Sequence, residues 1–386
     1  MSDIYARLGV KRRINAAGTL TRLGGSLMDE AVVDAMREAA RSSVDIGELQ
    51  SAASRAIAKA TGAEAGLVTS GAAAGLTLAA AACLAGFDIA RMARLPDARG
   101  FPNEILIART HRNAYDHALR AAGAVLVDIG HNDRGTGAGI RGLEAWEIEA
   151  AIGPATAAFA FSATPDTAGD LPAVVATCRK HGIPVIVDAA AQLPPASNLR
   201  AFVTAGADIV VFSGGKAIGG PQASGILAGR RDLVASALLQ QLDMDVEPSR
   251  WAAPDFVDRA RVPVPPHHGI GRAFKVGKEE IVGLIVALER FAARDEAAAM
   301  AAFGKRLDAI VAALGPRKTH IAKGRIPVLQ IEAADGPATA ARLLAGDPPV
   351  HVGERDLARG ILSIDLQAVR PTDDGLLMEM LRRALG

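Results

Sequence analysis

From about residue 50 the chain alternates short apolar runs with longer stretches of helical character. Strands are predicted over 66–69, 105–108, 125–129, 157–161, 183–187, 209–212 and 225–228, and helices over 51–61, 72–84, 114–122, 143–152, 171–181 and 199–204. The strand runs are nearly continuous in apolar residues rather than alternating with polar ones, the pattern of strands covered on both faces by crossover helices. Strand following helix in this order implies βαβ units and a mainly parallel sheet, hence an α/β fold.

The character changes at Val262-Pro263-Val264-Pro265-Pro266. Each proline removes a backbone donor and biases its predecessor away from helix, so the run reads as a boundary. Beyond it, Ile281, Leu284, Ile285, Leu288 and Phe291 recur at helical spacing. An alanine-rich helix over 300–314, short strands at 328–331 and 362–365, and a last helix from about 375 to 385 complete a smaller α+β domain. The division expected is an N-terminal arm and helix over 1–48, a large domain over 49–266 and a small C-terminal domain over 267–386.

Composition narrows the function. Half of the 386 residues are hydrophobic, enough for a large core, and 43 basic against 42 acidic residues leave a net charge of +1. A nucleic-acid surface would show a basic excess, so no nucleic-acid partner is expected. Cys83 and Cys178 cannot form a disulfide framework and read as buried small apolar residues of a reduced, cytoplasmic protein. The N-terminus lacks the apolar stretch of a secretory signal, and no run is long enough for a membrane span. Histidines 111, 117, 131, 267 and 268 do not fall at metal-ligand spacing, so no metal site is expected.

The candidate chemistry sits at strand ends. Of nine lysines, Lys216 stands out: it follows the run 209–212 within Ser213-Gly214-Gly215-Lys216-Ala217-Ile218-Gly219-Gly220-Pro221. A lysine at the carboxyl end of a buried strand, among glycines that admit a ligand to the backbone, is placed for Schiff-base chemistry. A nucleotide-binding P-loop would need Gly at 210 and Ser or Thr at 217, where the chain has Val210 and Ala217. One unit earlier the strand over 183–187 ends in Asp188, and ligands of open α/β sheets bind beyond such ends. A carboxylate there can keep a pyridine nitrogen protonated, as pyridoxal phosphate requires. Thr69-Ser70-Gly71-Ala72-Ala73 is a strand end opening a helix, a place for a phosphate dianion. His111, after the strand over 105–108, is a candidate to stack on a flat ring. The string Gly137-x-Gly139-x-x-Gly142 matches a dinucleotide fingerprint only formally, being set apart from its strand by residues 130–134, and reads as a loop.

The ordered set Ser70-Gly71, His111, Asp188 and Ser213-x-x-Lys216 resembles fold-type I pyridoxal-phosphate enzymes of the aspartate aminotransferase superfamily. Asn15-Ala16-Ala17-Gly18-Thr19, Asp188-Ala-Ala-Ala-Gln192, Ser213-Gly-Gly-Lys216-x-x-Gly-Gly-Pro-Gln222 and Arg272-Ala-Phe-Lys-Val-Gly-Lys278 are similar to the bacterial selenocysteine synthase (seryl-tRNA selenium transferase) branch, which includes sugar-amino-acid ammonia-lyases. The likeness spans roughly residues 10–295. It implies a large domain with a mainly parallel seven-stranded sheet, a smaller C-terminal α+β domain and pyridoxal 5'-phosphate as cofactor. Lys216 would carry the Schiff base, Asp188 would face the pyridine nitrogen and His111 would stack on the ring. Ser70, Gly71, Ala72 and Ser213 would contact the phosphate, and Gln192 the phenolic oxygen.

Two departures point away from tRNA. Selenium transferases carry an extra N-terminal domain for tRNA, whereas here the Asn15–Thr19 motif begins almost at once, and Gly215 stands where that branch tends to have an acidic residue. The reaction then implied is α,β-elimination from a small amino acid to ammonia and a 2-oxo acid. Racemisation, epimerisation and transamination remain open on the same anchors, with selenium transfer or a non-catalytic homologue behind them. Arg112, Arg272 and Arg355 are the candidates for a substrate anion, since a guanidinium matches carboxylate or phosphate geometry. The resemblance further implies a homodimer or a higher even assembly.

Overall fold

The computed structural model describes residues 4–131 and 143–386. The Gly137, Gly139, Gly142 string lies outside the described residues. Contacts divide the chain into two compact units, residues 29–292 and residues 1–28 joined with 293–386.

The larger unit is built on a seven-stranded sheet: β2 (Ala65–Thr69), β3 (Glu104–Ala108), β4 (Val125–Ile129), β5 (Thr156–Ser162), β6 (Val185–Asp188), β7 (Ile209–Ser213) and β8 (Gly225–Gly229), in the order β2-β8-β7-β6-β5-β3-β4. β3 through β7 run parallel, and β8 lies antiparallel to both its neighbours, β2 and β7. Two-sided burial is what the apolar runs predicted: β2 and β8 are buried at every residue, and Phe159, Phe161 and Phe212 are fully enclosed.

The helix Ala72–Ala85 has no polar face, and nearly all of it is buried. Its small side chains let it lie close to the sheet: a Cβ on Gly75 would come within 2.9 Å of Val211 Cγ1. It abuts the helix Arg231–Gln241, which is also buried throughout its second and third turns. That second helix has no amphipathic period, so its pattern did not announce it.

The unit boundaries fall at 28/29 and 292/293, away from the expected 48/49 and 266/267. Apolar packing is the reason. The helix Lys278–Ala293 buries Ile281, Leu284, Leu288 and Phe291, and Leu284 lies against the backbone of Gly214 and Gly220. The helix Glu30–Ala39 brings Met36 against Gly283. Both helices therefore belong to the large unit, beyond the proline run on one side and before residue 49 on the other.

In the smaller unit, β1 (Ile14–Ala16) pairs in parallel with β11 (Val350–Val352), which ties the N-terminal segment to the C-terminal part. A second, antiparallel sheet has the order β12 (Ile361–Ile364), β10 (Val328–Glu332), β9 (Thr319–Ala322). The helices Glu296–Leu314, Gly336–Ala345 and Asp374–Leu385 supply the rest of its core, including Leu307, Leu343 and Leu381.

The Asn15–Thr19 motif has a structural role here. Asn15 Nδ2 donates to Gly18 O at 2.7 Å and Ala17 N donates to Asn15 Oδ1 at 3.1 Å, closing a turn in which Gly18 has φ +86°. A Cβ at residue 18 would lie 2.8 Å from Asp365 Oδ2. Gly18→Ala should therefore cost about 1–3 kcal/mol, combining left-handed backbone strain with steric conflict. An unchanged denaturant midpoint would contradict this account of the motif.

Candidate active site

Five strands of the large sheet end along one edge, and each end carries a polar residue. β2 leads into Ser70, β3 into His111 by way of a 3-10 turn, β5 ends in Ser162, β6 in Asp188 and β7 in Ser213. Ser162 pairs directly with Asp188 across the β5–β6 ladder, and Asp188 with Val211 across β6–β7. A parallel sheet thus gathers at one rim residues that are more than a hundred positions apart.

Lys216 sits in the loop between β7 and β8. Gly214 N–H donates to Ser224 O, Gly220 N–H to Gly214 O and Gly219 N–H to Lys216 O, each at 2.9 Å. The glycines are needed for space: a Cβ at 214 would lie 2.2 Å from Ser224 Oγ, and one at 215 would lie 2.6 Å from Gln222 Cα. The Gly215 departure noted in the sequence therefore matches a loop that folds back on itself with no room for a side chain. Lys216 is half-buried and close enough to Asp188 for its charge to act on that carboxyl.

Asp188 is pulled in opposing directions. Burial raises its pKa, while the Ala190 N–H, donating to Oδ1 at 3.0 Å, and the charge of Lys216 lower it, with burial the largest effect. Burial therefore outweighs what the Lys216 charge and the Ala190 N–H do for the ionised form. Asp188 lines a small open pocket together with His111, Phe161 and Ser162. His111 is 5% exposed, and its ring meets the Phe161 ring edge-on at 4.6 Å between centroids. Ser162 N–H donates to His111 Nδ1 at 3.4 Å, which fixes the imidazole plane beside the strand ends.

At the other side of the rim, Gly71 has φ +89° and opens the helix Ala72–Ala85. Gly71 N–H closes back on Thr69 O at 2.9 Å. The first N–H groups of the helix itself have no intrahelical acceptor and carry the positive end of its dipole. Gly225 closes the cradle: a Cβ there would come within 2.5–2.8 Å of the backbone of Gly71 and Ala72. Ser70 Oγ donates to Phe274 O at 2.7 Å, which fastens the 270–274 segment over this turn. Gln192 is buried, its backbone turned onto Ala189 O at 3.0 Å, and Asn198 Nδ2 donates to its carbonyl at 2.7 Å.

The candidate arginines differ in their commitments. Arg112 forms ion pairs with Asp116 and Asp128, which raise its pKa and match its charge. Arg272 Nη2 pairs with Asp243 at 2.7 Å, and its Nε is buried without a hydrogen-bond partner. Asp243 also faces His268 at 3.6 Å, on the surface. Arg355 is exposed in the smaller unit. Cys178 is fully buried, which pushes its thiol up to about 12, and Cys83 packs against the main core, so neither is a nucleophile.

Ser162, Phe161 and Phe274 were not singled out from the sequence. Ser162 had a usable signal, since it ends an apolar run as Ser213 does. The part Phe274 plays is its backbone oxygen, which no residue pattern marks.

The residues present suit pyridoxal phosphate. A buried carboxylate, a lysine whose charge reaches it, an aromatic-buttressed histidine and a helix N-terminus opened by glycine form the donor set that the cofactor needs. Comparison with known proteins bears on this directly. The family model for L-seryl-tRNA selenium transferase matches residues 173–245. The chain is 32% identical to 5'-C-glycyluridine monooxygenase-decarboxylase of a Streptomyces species, over 99% of this chain and 92% of that protein. It is 30% identical to D-glucosaminate-6-phosphate ammonia lyase of Salmonella typhimurium, over 98% of this chain and 97% of the relative. The chain belongs to their family, the selenium-transferase-like branch of fold-type I pyridoxal-phosphate enzymes.

A solved structure of D-glucosaminate-6-phosphate ammonia-lyase superposes with a TM-score of 0.80 at 27% identity, covering 100% of this chain and 99% of that one. The expected fold class, with its seven-stranded, mainly parallel sheet, holds within this family. Among the described residues no helix is long and apolar enough to cross a membrane.

Proposed function

We propose that this member of the family is a pyridoxal-phosphate-dependent lyase that takes a small amino acid through α,β-elimination to ammonia and a 2-oxo acid. The observation that carries the reading is the meeting of Lys216 and Asp188 at one strand edge, close enough for the lysine's charge to act on the carboxyl. Near-full-length likeness to an ammonia lyase supports the choice of reaction.

When bound, the cofactor supplies an electron sink conjugated to the substrate's Cα. Asp188 would hold a proton on the cofactor's ring nitrogen, and His111, set in place by Phe161 and Ser162, would lie against the ring. The helix N-terminus at Gly71–Ala72, with Ser70 and Ser213, would hold the phosphate, and Gln192 would serve the phenolic oxygen. Lys216 Nζ, once free, removes the proton from Cα. With a hydroxyl on Cβ as leaving group, the electron pair left at Cα would form the Cα–Cβ double bond as the Cβ–O bond breaks, and the proton taken up by Lys216 would leave with the hydroxyl as water. The unsaturated amine left behind hydrolyses to ammonia and the 2-oxo acid. Arg272 is the arginine proposed for the substrate's anionic group, since its Nε is buried and unpartnered while Arg112 is matched twice.

We further infer a cytoplasmic enzyme acting on a small molecule. A homodimer is supported by the exposed apolar side chains Tyr5, Leu8 and Val10 of the N-terminal arm.

The test is product analysis. The holoenzyme, given a panel of β-hydroxy and sugar-derived amino acids, is expected to release ammonia and 2-oxo acid in equal amounts without consuming oxygen. Oxygen uptake with carbon dioxide release would instead favour the chemistry in the name of the Streptomyces relative. An inverted amino acid with no ammonia would make the enzyme a racemase.

A further inference from the structure

The turn that carries His111 is held from outside the sheet ladder by a cluster of charges. β3 and β4 pair in register up to Ala108 and Ile129, where the ladder ends. His111 lies beyond that end, as the last residue of the 3-10 turn Arg109–His111. The next residue reaches back to the sheet. Arg112 Nη1 donates to Oδ1 of Asp128 on β4, which stands opposite Ile107 of β3. Arg112 Nε donates to Oδ2 of Asp116, the first residue of the helix Asp116–Ala121. One planar guanidinium thus ties the last strand of the sheet and the following helix to the turn between them.

The contacts continue to His111 itself. Asp116 is 6% exposed, and its other oxygen accepts from Asn113 N–H at 3.3 Å. Asn113 Oδ1 accepts from Tyr115 N–H at 2.8 Å, and Asn113 Nδ2 donates to the carbonyl of His111 at 3.1 Å. A chain of polar contacts therefore runs from Asp128 through Arg112, Asp116 and Asn113 to the backbone of His111. From the β5 side, Phe161 and the Ser162 N–H hold the imidazole ring. The ladder between β3 and β4 is complete without Arg112, and the Asp128 side chain is 39% exposed. A pair that open to water adds little to the stability of a whole fold, so what the clamp governs is the placement of the turn.

We propose that Arg112 is a positioning residue, which through Asp116 and Asp128 sets where His111 lies against the cofactor ring. The inference rests on the proposed function only in placing His111 against that ring. It gives Arg112 a role other than binding the substrate's anion, since each arm of its fork already meets a carboxylate. A lysine could not replace it fully, because an ammonium has no planar fork to hold two carboxylates in fixed directions.

The experiment loads wild type, Asp128→Asn, Arg112→Lys and Arg112→Met with pyridoxal phosphate. It measures the cofactor's dissociation constant, its visible circular dichroism, and steady-state kcat and KM. Arg112→Met should halve the dichroism or more and lower kcat at least about tenfold with KM near that of wild type, because a misplaced group costs rate. Arg112→Lys should fall between the two, keeping the charge without the fork. Asp128→Asn should shift the dichroism and kcat in the same direction by about threefold while its denaturant midpoint matches wild type, as expected for an exposed partner. That variant separates positioning from support of the fold if Arg112→Met folds poorly. Loaded variants with unchanged dichroism and cofactor affinity overturn the inference and leave the proposed function standing. A rise in KM alone, with the dichroism intact, would show that Arg112 meets the substrate and also overturns it. Dichroism lost by Asp128→Asn only in step with its denaturant midpoint would make the clamp a support of the fold, again overturning it. Wild type that takes up no cofactor would defeat the proposed function and this inference together.

Discussion

Replacing Lys216 by alanine should yield a folded protein that no longer holds its cofactor covalently and has lost at least about 10³-fold in turnover. The loop is kept by its backbone, through the bonds from Gly214 to Ser224, from Gly220 to Gly214 and from Gly219 to Lys216 O. None of these involves the lysine side chain, so the substitution removes the amine and leaves the fold. Lys216→Arg should be equally inactive despite keeping the charge, because a guanidinium does not give up its proton to act as nucleophile or base. The measurement is the visible absorbance of the reconstituted protein alongside steady-state ammonia release. Turnover within tenfold of wild type in Lys216→Ala would remove the basis of the proposed mechanism.

Asp188→Asn should lower turnover of the loaded enzyme by about 10²–10³-fold, since the amide cannot hold a proton on the ring nitrogen as a carboxylate does. Without cofactor the same change should stabilise. Burial raises the folded-state pKa of Asp188 above its ordinary value of 3.8, so the ionised form is what folding disfavours. In the window between 3.8 and the raised value the folded state binds more protons than the unfolded chain, and stability falls as pH rises. The penalty is complete above that window and vanishes below it. Asparagine has no such penalty and keeps the acceptor for the Ala190 N–H. Cofactor-free Asp188→Asn should therefore outlast wild type in denaturant at neutral pH, with the gap closing as pH approaches 3.8. A variant less stable than wild type at neutral pH would show that Asp188 is held by a favourable partner and is not awaiting one.

Much of the large unit was legible because its strands are buried on both faces. Runs such as 105–108 and 209–212 have no polar face to confuse their period, and the observed strands Glu104–Ala108 and Ile209–Ser213 differ from them by one residue. The weaker elements of the smaller unit escaped notice. β1, β9 and β11 are three or four residues long, and β9 is half-exposed, so no run of apolar residues marks it. The unit boundaries escaped for a related reason. A proline run signals a break in backbone pattern, but which core the helix Lys278–Ala293 joins depends on where Leu284 finds its partners, at Gly214 and Gly220.

By itself the sequence determined the α/β class, the strand-end positions of Asp188 and Lys216, the glycine-opened helix at Gly71 and the family likeness. Each of these depends on local pattern, either the period of apolar residues or the residue type that follows a strand. Only the tertiary structure decided that β8 runs antiparallel between β2 and β7, that Ser162 lies in register with Asp188 and that Arg112 is spent on two aspartates. Those are pairings between segments distant in sequence, set by sheet order and packing.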